Sequence, residues 1–346
     1  MRLVKSANFL FSIVKMKLTG HYLPLTVIFN LTNRCNTKCR HCYAGYFSRD
    51  TSRELSTQDA KRLLQDLKDN GCLRISFSGG EPLLREDIPE LIDYAQALGL
   101  SVTLNSNGIL VPKYLTVLKK LDSLAISLDG RPEHHDILRG KGTGEKALFA
   151  ARQATEHGLK VHVNMVLNKH NLGDIDYMLD LAREHGFKVE FNLLISYIFE
   201  NGVPADEFKP TDEQIRNALR YIIQKKKESA PILFSAAAYE SVLGLWKDFS
   251  VEQVMEDSSF HKLAWCPAAK LFCLIDSDGT LWACPHLIGK VAAKNALEVG
   301  VAEAWKAAKN HPCRGCYQVY HHEFSLLMNL DPRVIRNYFK SVTVKK

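Results

Sequence analysis

Between residues 25 and 195 the chain alternates two hydrophobic periods. Short apolar, β-like runs fall at 25–31, 74–78, 102–105, 124–128, 161–167 and 189–195. Between them, apolar residues recur at helical spacing over 57–70, 87–98, 112–121, 145–157 and 172–185, as in helices with one covered face. Ser56, Thr57 and Asp87 stand at helix starts, and Gly71, Gly99, Gly158 and Gly186 at helix ends, where helix-start and helix-stop chemistry puts them. Six strand–helix repeats without internal turns predict a parallel sheet covered by helices. Six are too few for a complete eight-stranded barrel.

The regular pattern ends after a further helix near 212–228. Residues 230–265 are less regular. Apolar runs at 271–275 and 280–283 then flank Asp276-Ser277-Asp278-Gly279, which predicts a β-hairpin. Ahead of the repeats, Leu3, Ala7, Leu10, Val14 and Leu18 recur at helical spacing opposite Lys5, Asn8, Ser12 and Lys15. This predicts an amphipathic helix packed across the bottom of the sheet. Arg2, Lys5, Lys15 and Lys17 leave a second reading open, a helix lying on an anionic membrane surface. The uncharged run 6–14 is too short to span a bilayer. The pattern divides the chain into an N-terminal helix (1–24), an α/β unit (25–235) and a smaller C-terminal domain (236–346).

Composition adds limits. The 346 residues have room for one large domain and a small one. The net charge of +7 comes from scattered basic residues, so no nucleic-acid partner is expected. Lys225–Lys227 reads as a solvated helix face. Nine cysteines are an odd number with clustered spacings, and no signal peptide stands before them. Metal ligation in the cytoplasm fits better than a disulfide framework, with membrane association left open.

Three of those cysteines, Cys35, Cys39 and Cys42, have C-x3-C-x2-C spacing. Three thiolates can hold three irons of a [4Fe–4S] cluster and leave the fourth without a protein ligand, whereas electron-transfer clusters use four cysteines. Zinc, recruiting His41 or a distant residue, is the alternative. A second group comprises Cys266 and Cys284 at the two ends of the expected hairpin, with Cys313 and Cys316 as a C-x2-C pair. Four thiolates suit one cubane cluster or one zinc. The cysteine loop follows the first strand and Gly79-Gly80-Glu81-Pro82 the second. Asn105-Ser106-Asn107-Gly108 ends the third, and Ser127-Leu128-Asp129-Gly130 the fourth. All lie on the rim where such folds carry their chemistry.

The cysteine triplet and the Gly-Gly-Glu-Pro turn, each after its strand, resemble the radical S-adenosylmethionine (radical SAM) superfamily. The resemblance implies a partial (β/α)6 TIM-like barrel. It implies a [4Fe–4S] cluster that reductively cleaves S-adenosylmethionine (AdoMet) to a 5′-deoxyadenosyl radical, which takes hydrogen from the substrate. Cys35, Cys39 and Cys42 would ligate the cluster, and Tyr43 would lie by the adenine. Gly79, Gly80, Glu81 and Pro82 would hold the methionine amino group. Asn105, Ser127 and Asp129 would hold ribose and methionine, and Arg139 the AdoMet carboxylate. Strand-end Asn and Asp also cap turns, and that reading stays open for them.

The later cysteines resemble the SPASM and twitch extensions of the same superfamily. No cysteine follows Cys316, which implies a twitch-type domain with one auxiliary [4Fe–4S] cluster on Cys266, Cys284, Cys313 and Cys316. His321 and His322 stand as weaker ligand candidates for a second cluster; His286 and His311 read as ordinary polar residues. The activity implied is an oxidoreductase performing a net oxidation or dehydrogenation of a small molecule, carbohydrate-like or lipid-linked. A flavodoxin- or ferredoxin-type donor would feed it. The alternatives are a peptide or protein maturase, tetrapyrrole side-chain modification, an epimerase with a Cys hydrogen donor, and a non-catalytic metal-binding module. Only 34 residues precede Cys35, too few for the peptide-recognition domain many maturases carry. For Cys72 and Cys273 the plain reading is a buried small apolar side chain.

Overall fold

The computed structural model describes residues 2–42, 45, 50–195, 207–249, 253–254 and 266–343. The helices are α1 Arg2–Thr19, α2 Thr57–Asp69, α3 Ile88–Ala97, α4 Val111–Leu118, α5 Pro132–Arg139, α6 Thr143–Glu156, α7 Ile175–His185 and α8 Asp212–Lys227. Then come α9 Ala236–Leu245, α10 Ala296–Val299, α11 Val301–Ala308, α12 Val319–Met328 and α13 Pro332–Thr343. The strands are β1 Thr26–Asn30, β2 Arg74–Ser78, β3 Ser101–Ser106, β4 Ser123–Ser127, β5 Val161–Leu167, β6 Lys188–Leu193 and β7 Gln253–Val254. β8 Phe272–Ile275, β9 Thr280–Trp282, β10 Lys294–Asn295 and β11 Gly315–Cys316 complete them.

Strands β1 to β6 pair in parallel in chain order, and the sheet curls into the partial barrel that the sequence resemblance implies. All six expected strands form. The alternation within them explains why the barrel is hollow. On β2, Ile75 and Phe77 are buried under the helices, while Arg74, Ser76 and Ser78 face an open lumen. On β5, Val161, Val163 and Met165 are buried, while His162 and Asn164 line the lumen. A parallel sheet packed on both faces reads as continuously apolar; this one is polar at every second position because its inner face encloses a cavity. Outside, α2 contributes Ala60, Leu63, Leu64 and Leu67 to the core. Its N-cap Ser56 accepts from the Asp59 N–H.

The hairpin β8–β9 does not stand apart from the barrel. β8 pairs in parallel with β1, so the sheet runs β10-β9-β8-β1-β2-β3-β4-β5-β6. The sheet is therefore continuous across the expected boundary at residue 236.

Helix α1 forms and covers the bottom of the barrel: Lys5 Nζ bonds to Leu100 O at 2.9 Å and Asp122 Oδ2 at 3.3 Å. Its buried face differs from the expected one. Ser6, Phe9, Ile13 and Met16 point inward, and Phe9 packs between Arg74 and Tyr338. Ala7 and Leu18 lie outside, the latter 82% exposed. The helix carries apolar residues on two sides, and the bulkier stripe with the aromatic ring wins the contact. No helix among the described residues is long and apolar enough to cross a membrane.

Candidate active site

The loop between β1 and α2 carries Cys35, Cys39 and Cys42 at one end of the lumen, a cavity of about 750 Å³ that all three line. None is in a disulfide, and all three are partly exposed. The Thr37 hydroxyl lies 3.2 Å from Cys35 Sγ and 3.5 Å from Cys39 Sγ. Burial pushes the Cys35 thiol up, and its contacts with Thr37 oppose this. Three thiols outside any disulfide and facing one cavity suit a cluster with one iron left for a ligand. A cavity of this size is in the range that holds a cofactor-sized molecule.

The turn after β2 holds this loop in place. Gly80 N donates to Thr32 O at 2.8 Å, and Glu81 N to Arg34 O at 2.8 Å. A Cβ on Gly79 would collide with Thr32 O, and one on Gly80 with Arg34 O. The two glycines are thus required by the close approach of the cysteine loop, and both also line the cavity. Pro82 is buried and opens the 3-10 turn Pro82–Leu84. The Glu81 carboxylate is fully buried and is not part of the cavity wall. It accepts from Leu83 N at 3.1 Å, Asn107 N at 2.8 Å and Ser106 Oγ at 3.1 Å. Burial raises its pKa to about 7 against those hydrogen bonds. Its side chain ties the turn to the end of β3.

Arg139, at the end of α5, lines the cavity beside Cys39 and Cys42, whose charge it feels. Its partner is Asp129, buried behind it: Nε–Oδ2 is 2.5 Å and Nη2–Oδ1 3.4 Å. Asp129 also accepts from Val166 N at 2.8 Å. Burial would raise the Asp129 pKa, but the Arg139 guanidinium outweighs it and holds it at about 2. Asp129 therefore orients Arg139 from outside the cavity wall. Asn105 and Ser127 do line the cavity, and Asn105 Nδ2 donates to Ser76 Oγ at 3.1 Å. Tyr43 lies outside the described residues.

Sequence reasoning named His41 only as a possible recruit to a zinc site and overlooked it as a cavity residue. It lines the cavity between Cys39 and Cys42, 3.6 Å from Asp129. Burial and then Arg139 lower its pKa to about 3, so it is a neutral imidazole. Its Nδ1 has no hydrogen-bond partner among the described residues. The strand interiors were overlooked too. Ser123 Oγ meets His162 Nδ1 at 3.0 Å, and His162 Nε2 stands 3.6 Å from Glu190 Oε2. Asn192 Nδ2 donates to Glu190 Oε1 at 2.6 Å and Asn164 Oδ1 at 3.1 Å. The signal that could have found them is the polar residue at every second position of β5 and β6.

Glu190 gives a pH test. Burial lifts its pKa from 4.5 to about 7, against the Asn192 hydrogen bond. A carboxyl raised on folding stabilises fully below its unfolded pKa and loses that contribution as pH rises through the folded value. Between about pH 4.5 and pH 7 the wild type should lose roughly 3 kcal/mol from this group. Glu190→Gln, neutral throughout, should gain on the wild type by that order over the same window. Anaerobic denaturation at pH 4.5 and 8 measures it; a pH-independent difference refutes it.

The second cysteine group is wholly buried. Burial first, then Cys313, pushes Cys266 up to about 12. Burial also raises Cys284 and Cys316, with Cys266 next for each and Cys313 adding to both. The mutual effect puts all four thiols in one group. Thiolates so crowded need a cation to stay ionised, which a bound iron–sulfur cluster would supply. Cys284 ends the hairpin, and the adjoining residues Pro285, His286, Gln318 and Tyr320 line the far wall of the same cavity. Cys72 and Cys273 do not line it. Cys273 sits in register with Val27, on the outer face of the sheet, and burial raises both thiols. The thiols of the epimerase reading are thus core side chains.

The family model described as Radical SAM superfamily matches residues 29–182. The mycofactocin maturase MftC of Mycolicibacterium smegmatis is 30% identical over 80% of this chain and 68% of its own length. The chain belongs to the radical SAM superfamily. The AdoMet-dependent heme synthase of Methanosarcina barkeri is 28% identical over 83% of each chain. The Fe-coproporphyrin III synthase of the same organism is 39% identical over 178 residues, 49% of this chain and 45% of that one. Against that relative the chain spans less than half the length. Streptococcus suis SuiB bound to S-adenosylmethionine shares the fold, with a TM-score of 0.66 at 21% identity over 84% of this chain and 68% of that one. The cofactors of this radical SAM enzyme are a [4Fe–4S] cluster and AdoMet, and its C-terminal cysteines fit an auxiliary cluster.

Proposed function

We propose that this enzyme oxidises a side chain of a tetrapyrrole, with Cys35, Cys39 and Cys42 holding the AdoMet cluster and the C-terminal cysteines an electron-accepting one. The observation that carries the reading is the single cavity. It begins at the cysteine triplet and ends on His286, Gln318 and Tyr320, beside the second cysteine group. When bound, the first cluster and AdoMet supply a radical that removes one hydrogen atom from the substrate. The substrate radical would then lose one electron to the cluster that the C-terminal cysteines would hold and one proton to the lumen. Arg139 would meet the AdoMet carboxylate, oriented by Asp129. Gly79 and Gly80 would keep the cysteine loop in register.

The substrate class is supported by tetrapyrrole enzymes among the relatives, one alignable over 83% of both chains. It is also supported by Arg74, Lys160 and Lys188 at the base of the lumen, which suit acidic side chains. Peptide maturation is the second reading, favoured by MftC at 30% identity over 80% of this chain. Anaerobically reconstituted protein should hold about eight irons, as two cubanes require. With a strong reductant it should form 5′-deoxyadenosine slowly, and an iron porphyrin bearing carboxylate side chains should accelerate this and emerge oxidised. Acceleration by peptides alone would transfer the assignment to maturation. No acceleration by porphyrins would end the tetrapyrrole reading.

A further inference from the structure

Helix α1 is apolar on two opposite sides, and the barrel uses only one of them. Phe9, Ile13 and Met16 are buried beneath the sheet. On the other side Val4, Phe11 and Leu18 are 62%, 70% and 82% exposed. A spacing of seven residues is close to two helical turns, so the three form one row along the helix. Ala7 is exposed beside them. Among the described residues five large apolar side chains are exposed, and this row holds three of them. Single exposed apolar residues are ordinary, whereas a contiguous group marks a contact surface.

The surrounding charge says what kind of contact. Lys15 is exposed at the edge of the row and Lys17 in the last turn of the helix. No acidic residue occurs before Asp50, so nothing on α1 opposes an anion. Helix α13 lies beside α1 over the same apolar cluster, with the Phe9 and Tyr338 rings 6.0 Å apart. It buries Val334 in that cluster, and its exposed Arg336 and Lys340 lie on the opposite side. Both helices thus turn an outer face away from the barrel, one with an apolar row and both with positive charge. A second copy of the chain seated on this face would set like charges together. An anionic lipid surface suits both features: apolar side chains reach the acyl boundary while lysine and arginine heads stay among the phosphates and carboxylates.

We propose that α1 is an in-plane membrane anchor. Val4, Phe11 and Leu18 enter the surface of an anionic bilayer, and Lys15, Lys17, Arg336 and Lys340 hold its headgroups. One helix then does two things, closing the bottom of the barrel with its inner stripe and docking the enzyme with its outer one. The cysteine loop is at the other end of the lumen, so docking leaves it uncovered. The anchor does not depend on the substrate class proposed above.

Co-sedimentation with vesicles tests this on the full-length, anaerobically reconstituted protein. Vesicles of phosphatidylcholine with about one-third phosphatidylserine should bind it at low salt, and pure phosphatidylcholine vesicles should bind it at least about tenfold less. A basic residue near such a surface is worth about a fivefold change in affinity, so Lys15→Glu combined with Lys17→Glu should weaken binding by more than about tenfold. Phe11→Ser combined with Leu18→Ser should do the same while leaving the melting temperature unchanged, because both side chains are exposed. Phe11→Trp should keep binding, and its added fluorescence should be quenched by brominated lipid. Absence of binding to the serine-containing vesicles overturns the proposal, as does undiminished binding by the double serine variant. A wild type that is dimeric without lipid and becomes monomeric on Phe11→Ser would assign the row to a second copy and also overturn it. Should the serine variants fail to fold, quenching in Phe11→Trp decides.

Discussion

Cys39→Ala is expected to abolish 5′-deoxyadenosine formation and to halve the iron content, from about eight to about four. The substitution removes the middle thiol of the triplet. With two thiols left, the first cluster lacks the ligands to be held, and AdoMet loses the iron that would reduce it. The fold should survive, because Cys39 is partly exposed on a loop and its side chain meets the Thr37 hydroxyl at 3.5 Å. Anaerobic iron determination and chromatography of the AdoMet products measure both effects. Continued cleavage by a variant shown to lack the first cluster would remove the triplet from the catalytic role.

Gly80→Ala is expected to have nearly as large an effect without touching a ligand. Its Cβ would collide with the Arg34 carbonyl oxygen and stand 2.7 Å from the carbonyl carbon and 3.0 Å from Asn33 O. These are backbone atoms and cannot rotate away. Relief requires parting the turn from the cysteine loop, at the cost of the hydrogen bonds from Gly80 N to Thr32 O and Glu81 N to Arg34 O. Overpacking of this kind costs about 1–3 kcal/mol, and it falls next to Cys35. The variant should melt lower and retain only the auxiliary iron. Gly244→Ala is the control: nothing lies within 4 Å of the added atom, and in helix α9 the change should be neutral or slightly stabilising. If Gly80→Ala kept full iron and activity, the turn would not be what positions the loop.

Much of the barrel was legible because its signals are local. β2 and β5 have the predicted ends, since apolar residues alternate there with polar ones and turn residues close each run. Helix α5 was missed. It is eight residues long, and its buried side chains are His135 and Leu138, too few for a hydrophobic period. Yet it delivers Arg139 to the cavity. The rotation of α1 was also illegible, because its two apolar stripes compete and only Arg74 and Tyr338, far along the chain, decide between them. The position of Glu81 follows from Ser106 and Asn107 on a different strand. The cysteine motifs could be read because their spacing is short. His321 and Cys284 are 37 residues apart, and no local pattern announces that they face each other.

The pairing of β8 with β1 has a consequence for how the enzyme is made. β1 carries the cysteine loop, and one of its two edges is closed only by a strand some 245 residues later, with Asn30 bonded to Asp276 and Leu55 to Ser277. During synthesis that edge waits, unpaired, until most of the chain has left the ribosome. An open parallel edge invites the wrong neighbour, and such late closure is slow. Iron delivered before the hairpin docks would meet a loop braced on one side only. A chain truncated before β8 would leave that edge of β1 unpaired and open to aggregation.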